Sequence, residues 1–267
     1  MPAAPDRFVA LMRRYVVDYT NRHDTSVCAD LMEPDYTLRM GRHFVTGRDD
    51  AYVPAAQKQF AQFPGLGLTV HEIVTNGTRL AMRFSEHGAS VRHGGAVASW
   101  SGIGLYRWNG RRLVENLVEQ DYQARRRQLA GGPPDSVAPP APAPWDAVAV
   151  PAERRVEHVV REWIDAGLPG DAVITDDGDS AALIENGVTH VDDMFSAGAA
   201  VAFRLTRTGP YSGGLDGVDP AAVGAQATLH LVALVHVVNG LVASGHIVRD
   251  RLGMARSLAP AGSTSGR

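Results

Sequence analysis

The residues of this sequence that could take part in catalysis are single side chains scattered along the chain. His71 lies early in an apolar segment, and an imidazole has a pKa close to neutrality, so it could transfer protons. Asp121 comes late in the segment LVEQDY, where we expect a strand to end. No His, Asp or Glu residues have metal-ligand spacing, Cys28 is the single cysteine, and no glycine-rich phosphate loop occurs. This pattern favours acid–base chemistry, and we expect no metal and no other cofactor.

The composition predicts a soluble globular protein. Of the 267 residues, 45% are apolar and 21% are charged, which excludes a disordered or fibrous chain. The net charge of −3 and the scattered basic residues give no nucleic-acid footprint. No window of about 18 uncharged apolar residues occurs, and the N-terminus lacks the order of a signal peptide. We therefore expect no membrane association and a cytoplasmic location.

A segment rich in proline and alanine divides the chain. Residues 131–151 have neither a helical nor a strand period, which is typical of an extended, semi-stiff linker. Residues 258–267 form a Gly/Ser/Ala tail that we expect to be disordered. The sequence thus predicts two folded regions, 1–130 and 152–257.

The two regions repeat the same order of features. Each begins with apolar residues at helical spacing, from Phe8 in the first and from Val156 in the second. Residues 76–85 align without gaps on residues 197–206, at a constant offset of 121, and each segment reads as a tight turn followed by a strand. Each region later has an Asn-Gly turn and a strand that ends in an aspartate. Four matches in one order predict an internal duplication.

The second copy must be the shorter one. Between its first helix and its first long strand it has fewer than 20 residues, where the first copy has about 45. A row of charged residues in this interval, at positions 176, 177 and 179, reads as a solvated loop. We expect the second region to lack one or two elements and to serve as a scaffold without a complete pocket.

The first region resembles the NTF2-like superfamily, and within it the SnoaL-like polyketide cyclases and ketosteroid isomerases. Three segments carry the resemblance: RRYVVDYTNRHDTSVCADLMEPDY at 13–36, VTGRDDAYVPAAQKQF at 45–60, and YRWNGRRLVENLVEQD at 106–121. The resemblance covers about residues 7–128 and, more faintly, 153–257. It implies an α+β fold of two tandem cones, each a curved mixed sheet wrapped by helices. Residues 228–238 are apolar on both strand faces, so we expect the two sheets to pack together as an intramolecular pseudo-dimer.

The resemblance also implies site residues. Tyr15 aligns with the isomerase tyrosine that donates to an oxyanion, and Asp121 with the terminal acid/base aspartate of the cyclases. With His71 these are the predicted catalytic residues, although each could instead be a structural residue. Strand alternation places Asp121 on the face of Leu113 and Leu117, and Asn116 on the other face with Val118 and Gln120. It leaves open which of the two faces looks into the pocket. The predicted substrate-binding residues are Tyr19, Met40, Arg83, Trp100 and Asn116.

The function implied is a cofactor-free cyclase or isomerase that acts on a small, hydrophobic, carbonyl-bearing molecule of polyketide or terpenoid type. The two working carboxylates of ketosteroid isomerases are absent, since their positions fall near Met40 and Gly104. Two alternatives stay open: an epoxide hydrolase of the limonene-epoxide hydrolase type, with Arg83 and Asp121 as parts of its site, and a non-catalytic ligand-binding or assembly module. The sequence leaves homo-oligomerisation open.

Overall fold

The computed structural model describes residues 6–170, 172–179 and 181–259, apart from the side chain of Asp177. Its first half contains four helices, α1 (Arg7–Arg14), α2 (Cys28–Leu31), α3 (Val53–Gln62) and α4 (Tyr122–Leu129). Six strands lie among them: β1 (Met32–Met40), β2 (His43–Thr46), β3 (Gly67–Thr75), β4 (Arg79–Ser90), β5 (Ala96–Trp108) and β6 (Leu113–Gln120).

The second half has fewer elements. Its helices are α5 (Arg154–Asp165) and α6 (Arg251–Leu258). Its strands are β7 (Val173–Thr175), β8 (Val188–Ala197), β9 (Ala200–Pro210), β10 (Gln226–Val238) and β11 (Leu241–Arg249). The chain is therefore α+β with two mixed sheets, as the sequence predicts.

The first helix begins where its capping residue predicts. The Asp6 carboxylate accepts hydrogen bonds from the backbone N–H groups of Phe8 (2.9 Å) and Val9 (3.1 Å), which have no partner inside the helix. After Arg14 the chain continues as a wider π-helical turn, Tyr15–Thr20. The apolar stripe of this helix packs on the concave side of the first sheet and forms the core of the first half.

The two sheets have matching topologies. The strand order is β2-β1-β6-β5-β4-β3 in the first and β7-β11-β10-β9-β8 in the second, and in each the long last strand pairs in parallel with an early strand. The β3–β4 pairing has a bulge between Val70 and Glu72, and the β8–β9 pairing has one between Val191 and Asp193, again 121 residues later. A bulge at the repeat offset supports the duplication. The second half has no counterpart of β2 or α3 among its described residues.

The terminal helices of the two halves also match. Helices α4 and α6 are each eight residues long and begin after an aspartate whose side chain accepts a backbone N–H from the first turn. The capping residues are Asp121, which accepts from Ala124 (3.1 Å), and Asp250, which accepts from Gly253 (2.8 Å). The late aspartates that the sequence repeats are therefore helix caps in this structure.

The convex faces of the two sheets pack against each other. Small and branched side chains fill the interface, among them Ala81, Ile103 and Leu105 from the first half and Val232 and Leu234 from the second. This arrangement buries both faces of β10, which explains its continuous apolar run. The helices lie on the two concave sides.

The proline-rich segment is extended but not free. Ala141 donates its N–H to the Val70 carbonyl oxygen and Val150 donates to that of Thr75, both at 2.9 Å, so the segment runs along the edge strand β3. At the other end of the chain, Leu258 is the last residue of α6 and packs against its neighbours. The prediction of a disordered tail is therefore wrong for Leu258, and residues 260–267 lie outside the described residues.

Candidate active site

The concave side of the first sheet encloses a cavity of about 360 Å³. It lies between the sheet, the π-helical turn after α1, and helix α3. Apolar and aromatic groups form most of its wall, as in most small-molecule sites. The polar side chains that line it are Tyr15, Tyr19, Thr20, His43, Tyr52, Gln59, Glu86, Tyr106, Asn116, Gln120 and Tyr122.

Three tyrosine hydroxyls form a connected group at one side of the cavity. Tyr15 and Tyr19 are four residues apart on one helical face, so both reach the same side. Tyr19 donates to the Tyr52 hydroxyl (3.1 Å), and the Tyr52 and Tyr15 hydroxyls are also 3.1 Å apart. Burial raises the pKa of Tyr15 well above its usual value, and the neighbouring tyrosines add to this. The three groups are therefore neutral hydrogen-bond donors at physiological pH.

Among the described residues that line this cavity, Glu86 is the one carboxylate. It is 6% exposed, and the Gln59 amide of α3 donates to its Oε2 at 2.9 Å. Burial raises its pKa from the usual 4.5 to about 7, although Arg125, Gln59 and Trp100 partly oppose this rise. A carboxyl group with a pKa near neutrality can both take up and release a proton at physiological pH, which a general acid or base must do.

The Tyr106 ring lies against the tyrosine group and lines the same cavity as Glu86. Burial raises the pKa of Tyr106, and the charge of Glu86 raises it further. The rings of Tyr106 and Tyr15 are in edge contact, with centroids 5.7 Å apart. A Cβ atom at Gly104 would lie 2.8 Å from the Tyr106 hydroxyl oxygen. Glycine at this position therefore leaves the space in which the ring lies.

A further buried polar atom, Asn116 Oδ1, has no hydrogen-bond partner among the described residues. An unpaired buried polar group costs about 1–3 kcal/mol, so such atoms are uncommon unless a ligand or water pairs with them. Asn116 lines the cavity, so this oxygen offers a hydrogen-bond acceptor to a donor group in the cavity.

The structure brings four of the predicted site residues together at this cavity: Tyr15, Tyr19, Met40 and Asn116. Asn116 lies on β6 with Val118 and Gln120, which also line the cavity. The face of β6 that carries Asn116 is therefore the concave face, which encloses the cavity. Asp121 does not lie on this face.

Asp121 does not line the cavity. Its side chain is buried on the side of the second half, where it caps α4 and forms an ion pair with Arg251. Arg251 also contacts Asp176 (3.3 Å), and Arg249 pairs with the same Asp176 carboxylate at 2.5 Å. The geometry gives Asp121 a role in joining the two halves, which corrects the expectation that it meets substrate. Asp176 is 4% exposed, so the prediction of a solvated loop is wrong there as well.

His71 also lies outside the cavity, on the convex side of its sheet. Its Nδ1 donates to the Pro139 carbonyl oxygen (2.9 Å), which leaves Nε2 to accept from the Ser85 hydroxyl (3.0 Å). Burial lowers its pKa, so the ring is neutral at physiological pH. Nδ1 therefore holds the proline-rich segment against β3 and Nε2 contacts β4, so both nitrogens are engaged, which corrects the expectation of a catalytic histidine.

Two more of the predicted substrate-binding residues, Arg83 and Trp100, do not line the cavity. Arg83 is on the convex face of β4, with its Nε 3.9 Å from Glu72 Oε2. Trp100 packs in a separate apolar cluster behind Glu86, and its Nε1 donates to Gln120 Oε1 at 2.7 Å. Trp100 therefore supports residues of the wall, and neither side chain lines the cavity as expected.

Sequence reasoning missed Glu86, although a signal was available. Leu80, Met82 and Phe84 alternate on one face of β4, and the next residue on that face is Glu86. A charged residue that continues an apolar stripe is either buried at a cost or placed for function. The tyrosine group gave no such signal, because Tyr52 is 37 residues from Tyr15.

The second half has a cavity of its own, of about 400 Å³, on the concave side of its sheet. This overturns the expectation that a complete pocket is missing there. Its polar lining includes Arg207 and Arg249, and the Arg249 guanidinium is held by Asp176 and by the carbonyl oxygens of Ala181 and Asp179. No carboxylate occurs among the described residues that line it. The described residues of its wall therefore include no counterpart of Glu86.

Neither a metal site nor a membrane span is found in the part of the chain that the structure describes. No three His, Cys, Asp or Glu side chains lie close enough there to hold a metal ion. No described helix has the length and apolar character needed to cross a membrane.

The fold and cavity define the N-terminal half as an α+β cone with a pocket for a small molecule. Residues 12–116 match the family of the SnoaL-like domain, and this half of the chain is a SnoaL-like domain of the NTF2-like superfamily. No curated protein matches the chain significantly.

Solved structures resemble about half of the chain. A protein of Jannaschia sp. CCS1, provisionally named a SnoaL-like polyketide cyclase, is 15% identical over 50% of this chain and 99% of its own, with a TM-score of 0.44. TsrD of Streptomyces laurentii is 21% identical over 47% and 98%, with a TM-score of 0.42. IdmH of Streptomyces antibioticus, provisionally a polyketide cyclase, is 20% identical over 46% and 99%, with a TM-score of 0.41.

Proposed function

We propose that the first half is a cofactor-free acid–base enzyme of the cyclase or isomerase type, and that its substrate is a small, largely apolar molecule with a carbonyl group. The observation that carries the proposal is Glu86, a buried carboxyl group with a pKa of about 7 in a cavity that also presents tyrosine hydroxyls. The domain limits 1–130, 131–151 and 152–257 are part of this proposal, with the chemistry assigned to the first.

In the proposed reaction the Glu86 carboxylate removes a proton from the carbon next to the carbonyl. The electron pair of the broken C–H bond moves into the carbonyl group and forms an enolate. Tyr15, held by Tyr52, donates a hydrogen bond to the enolate oxygen, where negative charge develops. The enolate carbon then attacks a second carbonyl or is protonated at another position, and Glu86 returns the proton. Cyclisation and double-bond migration share these steps.

The alternatives receive less support from the site. An epoxide hydrolase of the type considered needs two carboxylates and an arginine around one water, and Glu86 is the one carboxylate among the described residues of this cavity. A non-catalytic ligand-binding module would not need a carboxyl group with a pKa near 7, which is costly to bury.

Hydrogen–deuterium exchange tests the proposal without knowledge of the substrate. A cyclic ketone with acidic α-protons, such as 2-tetralone, is incubated with the protein in deuterated buffer at pH 7.5, and loss of the α-proton signal is followed by NMR. We expect accelerated exchange, lowered about 100-fold or more in Glu86→Gln, since a positioned base contributes about that factor. Tyr15→Phe should lower it about tenfold or more, through loss of one donor.

Asp121→Asn is the matched control, because asparagine also caps helices well and Asp121 lies outside the cavity. It should keep the exchange activity. Full activity in Glu86→Gln, or loss confined to Asp121→Asn, would reject the assignment of Glu86 as the base.

A further inference from the structure

A second space adjoins the first-half cavity and opens between the two halves of the chain. Its volume is about 440 Å³, and four residues line both this space and the cavity: Met40, His43, Gln120 and Tyr122. The remaining wall comes from the turn after β1, from α4, and from α6 of the second half. We call this space the mouth, because it leads from solvent to the cavity that contains Glu86.

The mouth is rich in positive charge. Arg42, Arg125 and Arg256 line it, and Asp250 is the one carboxylate among its described residues. Asp250 is already engaged as the cap of α6. No described carboxylate lies within 4.0 Å of any of the three guanidinium groups, in contrast to Arg204, Arg249 and Arg251, which all form ion pairs between or within the halves. The mouth therefore carries an excess of two positive charges before His43 is counted.

Contacts between the two halves hold the turn that carries Arg42. The Gly41 N–H donates to both oxygens of Glu119 (2.9 and 3.0 Å), and the Gly41 carbonyl oxygen accepts from Arg204 of the second half (3.0 Å). Gly41 has φ +53°, and a Cβ atom there would collide with the Asp250 carboxylate. This position therefore requires glycine, and the turn is fixed against α6.

Arg125, on α4, lines the mouth. Its guanidinium carbon is 3.9 Å from the centroid of the Tyr122 ring and 5.1 Å from that of Trp100, so aromatic faces hold it in place. Its charge acts on Glu86 and partly opposes the rise of the carboxyl pKa. A positive group is thus fixed in the wall of the mouth, against Tyr122, which lines both spaces.

We propose that the mouth is the binding site for an anionic oxygen group of the substrate, such as a carboxylate, and that the apolar carbonyl-bearing part of the same molecule enters the cavity. This inference rests on the proposed function and adds the substrate class: an amphipathic anion. Arginine suits the role because its planar guanidinium can donate two parallel hydrogen bonds to a carboxylate or similar group. Because Arg256 comes from α6, the second half completes the binding site of the first.

A pair of fluorescent probes tests the inference on the full-length protein. 1-Anilinonaphthalene-8-sulfonate is an aromatic anion, and N-phenyl-1-naphthylamine has the same aromatic skeleton without the sulfonate. Dissociation constants of both are measured by fluorescence titration at two salt concentrations. We expect the anion to bind more tightly, and this preference to fall about tenfold in the double variant Arg42→Gln/Arg256→Gln, since each exposed ionic contact contributes up to about 1 kcal/mol. Binding of the neutral probe should not change.

Two further variants locate the binding. Ala56→Trp places a large side chain in the first-half cavity and should weaken both probes. Arg207→Gln removes one of the two arginines that line the second-half cavity and should change neither.

The outcomes separate the two proposals. Equal affinity for the two probes, with loss of both in Ala56→Trp, would overturn the anion site and leave the cavity as a ligand site. A preference for the anion that disappears in Arg207→Gln would also overturn it. Absence of binding of either probe at the first-half cavity would refute the proposed function together with this inference.

Discussion

Replacement of Glu86 by glutamine should make the protein more stable while it removes the proposed activity. In the folded protein the pKa of this carboxyl is about 7, against the usual 4.5, chiefly because burial disfavours the charged form. Folding above pH 7 therefore requires an ionised carboxylate to be held in an apolar cavity. Glutamine keeps nearly the same shape and a hydrogen bond to Gln59 but carries no charge.

The magnitude follows from the change in pKa. A rise from 4.5 to about 7 corresponds to about 3 kcal/mol, since each tenfold change in proton affinity is about 1.4 kcal/mol. Because the folded-state pKa is raised, the favourable contribution is complete below about pH 4.5, declines as the pH rises through the window from 4.5 to about 7, and is absent above it. Glu86→Gln should equal the wild type in stability near pH 4 and exceed it by up to about 3 kcal/mol at pH 8.

Urea unfolding followed by far-UV circular dichroism, at several pH values from 4 to 8, measures this difference. Glu185→Gln, an exposed carboxylate of the second half, is the control and should leave the free energy of unfolding unchanged within about 0.5 kcal/mol at every pH. A Glu86→Gln protein that is less stable than the wild type at pH 8, or a difference that does not vary with pH, would refute the assignment of a raised pKa.

Two further predictions concern the interface and the cavity wall. Arg204→Leu should lower the free energy of unfolding by about 3–5 kcal/mol, because it leaves the buried Glu119 without its cation and also removes the ion pair with Asp192, whose side chain is partly exposed. Denaturant unfolding measures this, and a loss below about 1 kcal/mol would show that the ion pairs contribute little. Gly104→Ala should lower the free energy of unfolding by about 1–3 kcal/mol, because the added methyl group displaces the Tyr106 ring. It should also weaken binding of N-phenyl-1-naphthylamine. Unchanged binding would mean that the ring does not shape the cavity.

The two halves contribute different side chains to the cavities, the interface and the mouth. The first cavity combines Glu86 with hydroxyl donors, whereas no carboxylate is found among the described residues that line the second. The second half contributes Arg204 to the interface and Arg256 to the mouth. The second half keeps its sheet, and its described residues include no counterpart of β2 or α3. It can still provide these contacts, because they come from its convex face and its last helix.

Much of the fold could be predicted from sequence because the signals are local. Helical spacing from Phe8 onward predicted α1, and Asn-Gly turns marked hairpins in both halves, since turn type depends on a few adjacent residues. The offset of 121 predicted the duplication, and the structure has bulges at the same offset. The boundary between α2 and β1 has no such local signal, because the helix ends at Leu31 and the strand begins at the next residue, Met32, with no Gly or Pro between them.

The site could not be predicted from the residues of a single strand. Alternation divides β6 into a face with Asn116 and a face with Glu119, but only the packing of the second sheet decides which face is covered and which one encloses the cavity. Asp121 is joined to Arg251, 130 residues away, so no local pattern reveals that its charge is engaged. The pKa of Glu86 likewise depends on removal from water, which the surrounding elements cause together. Periodicity and turn chemistry are properties of neighbouring residues, whereas burial and charge pairing exist only once distant segments have packed.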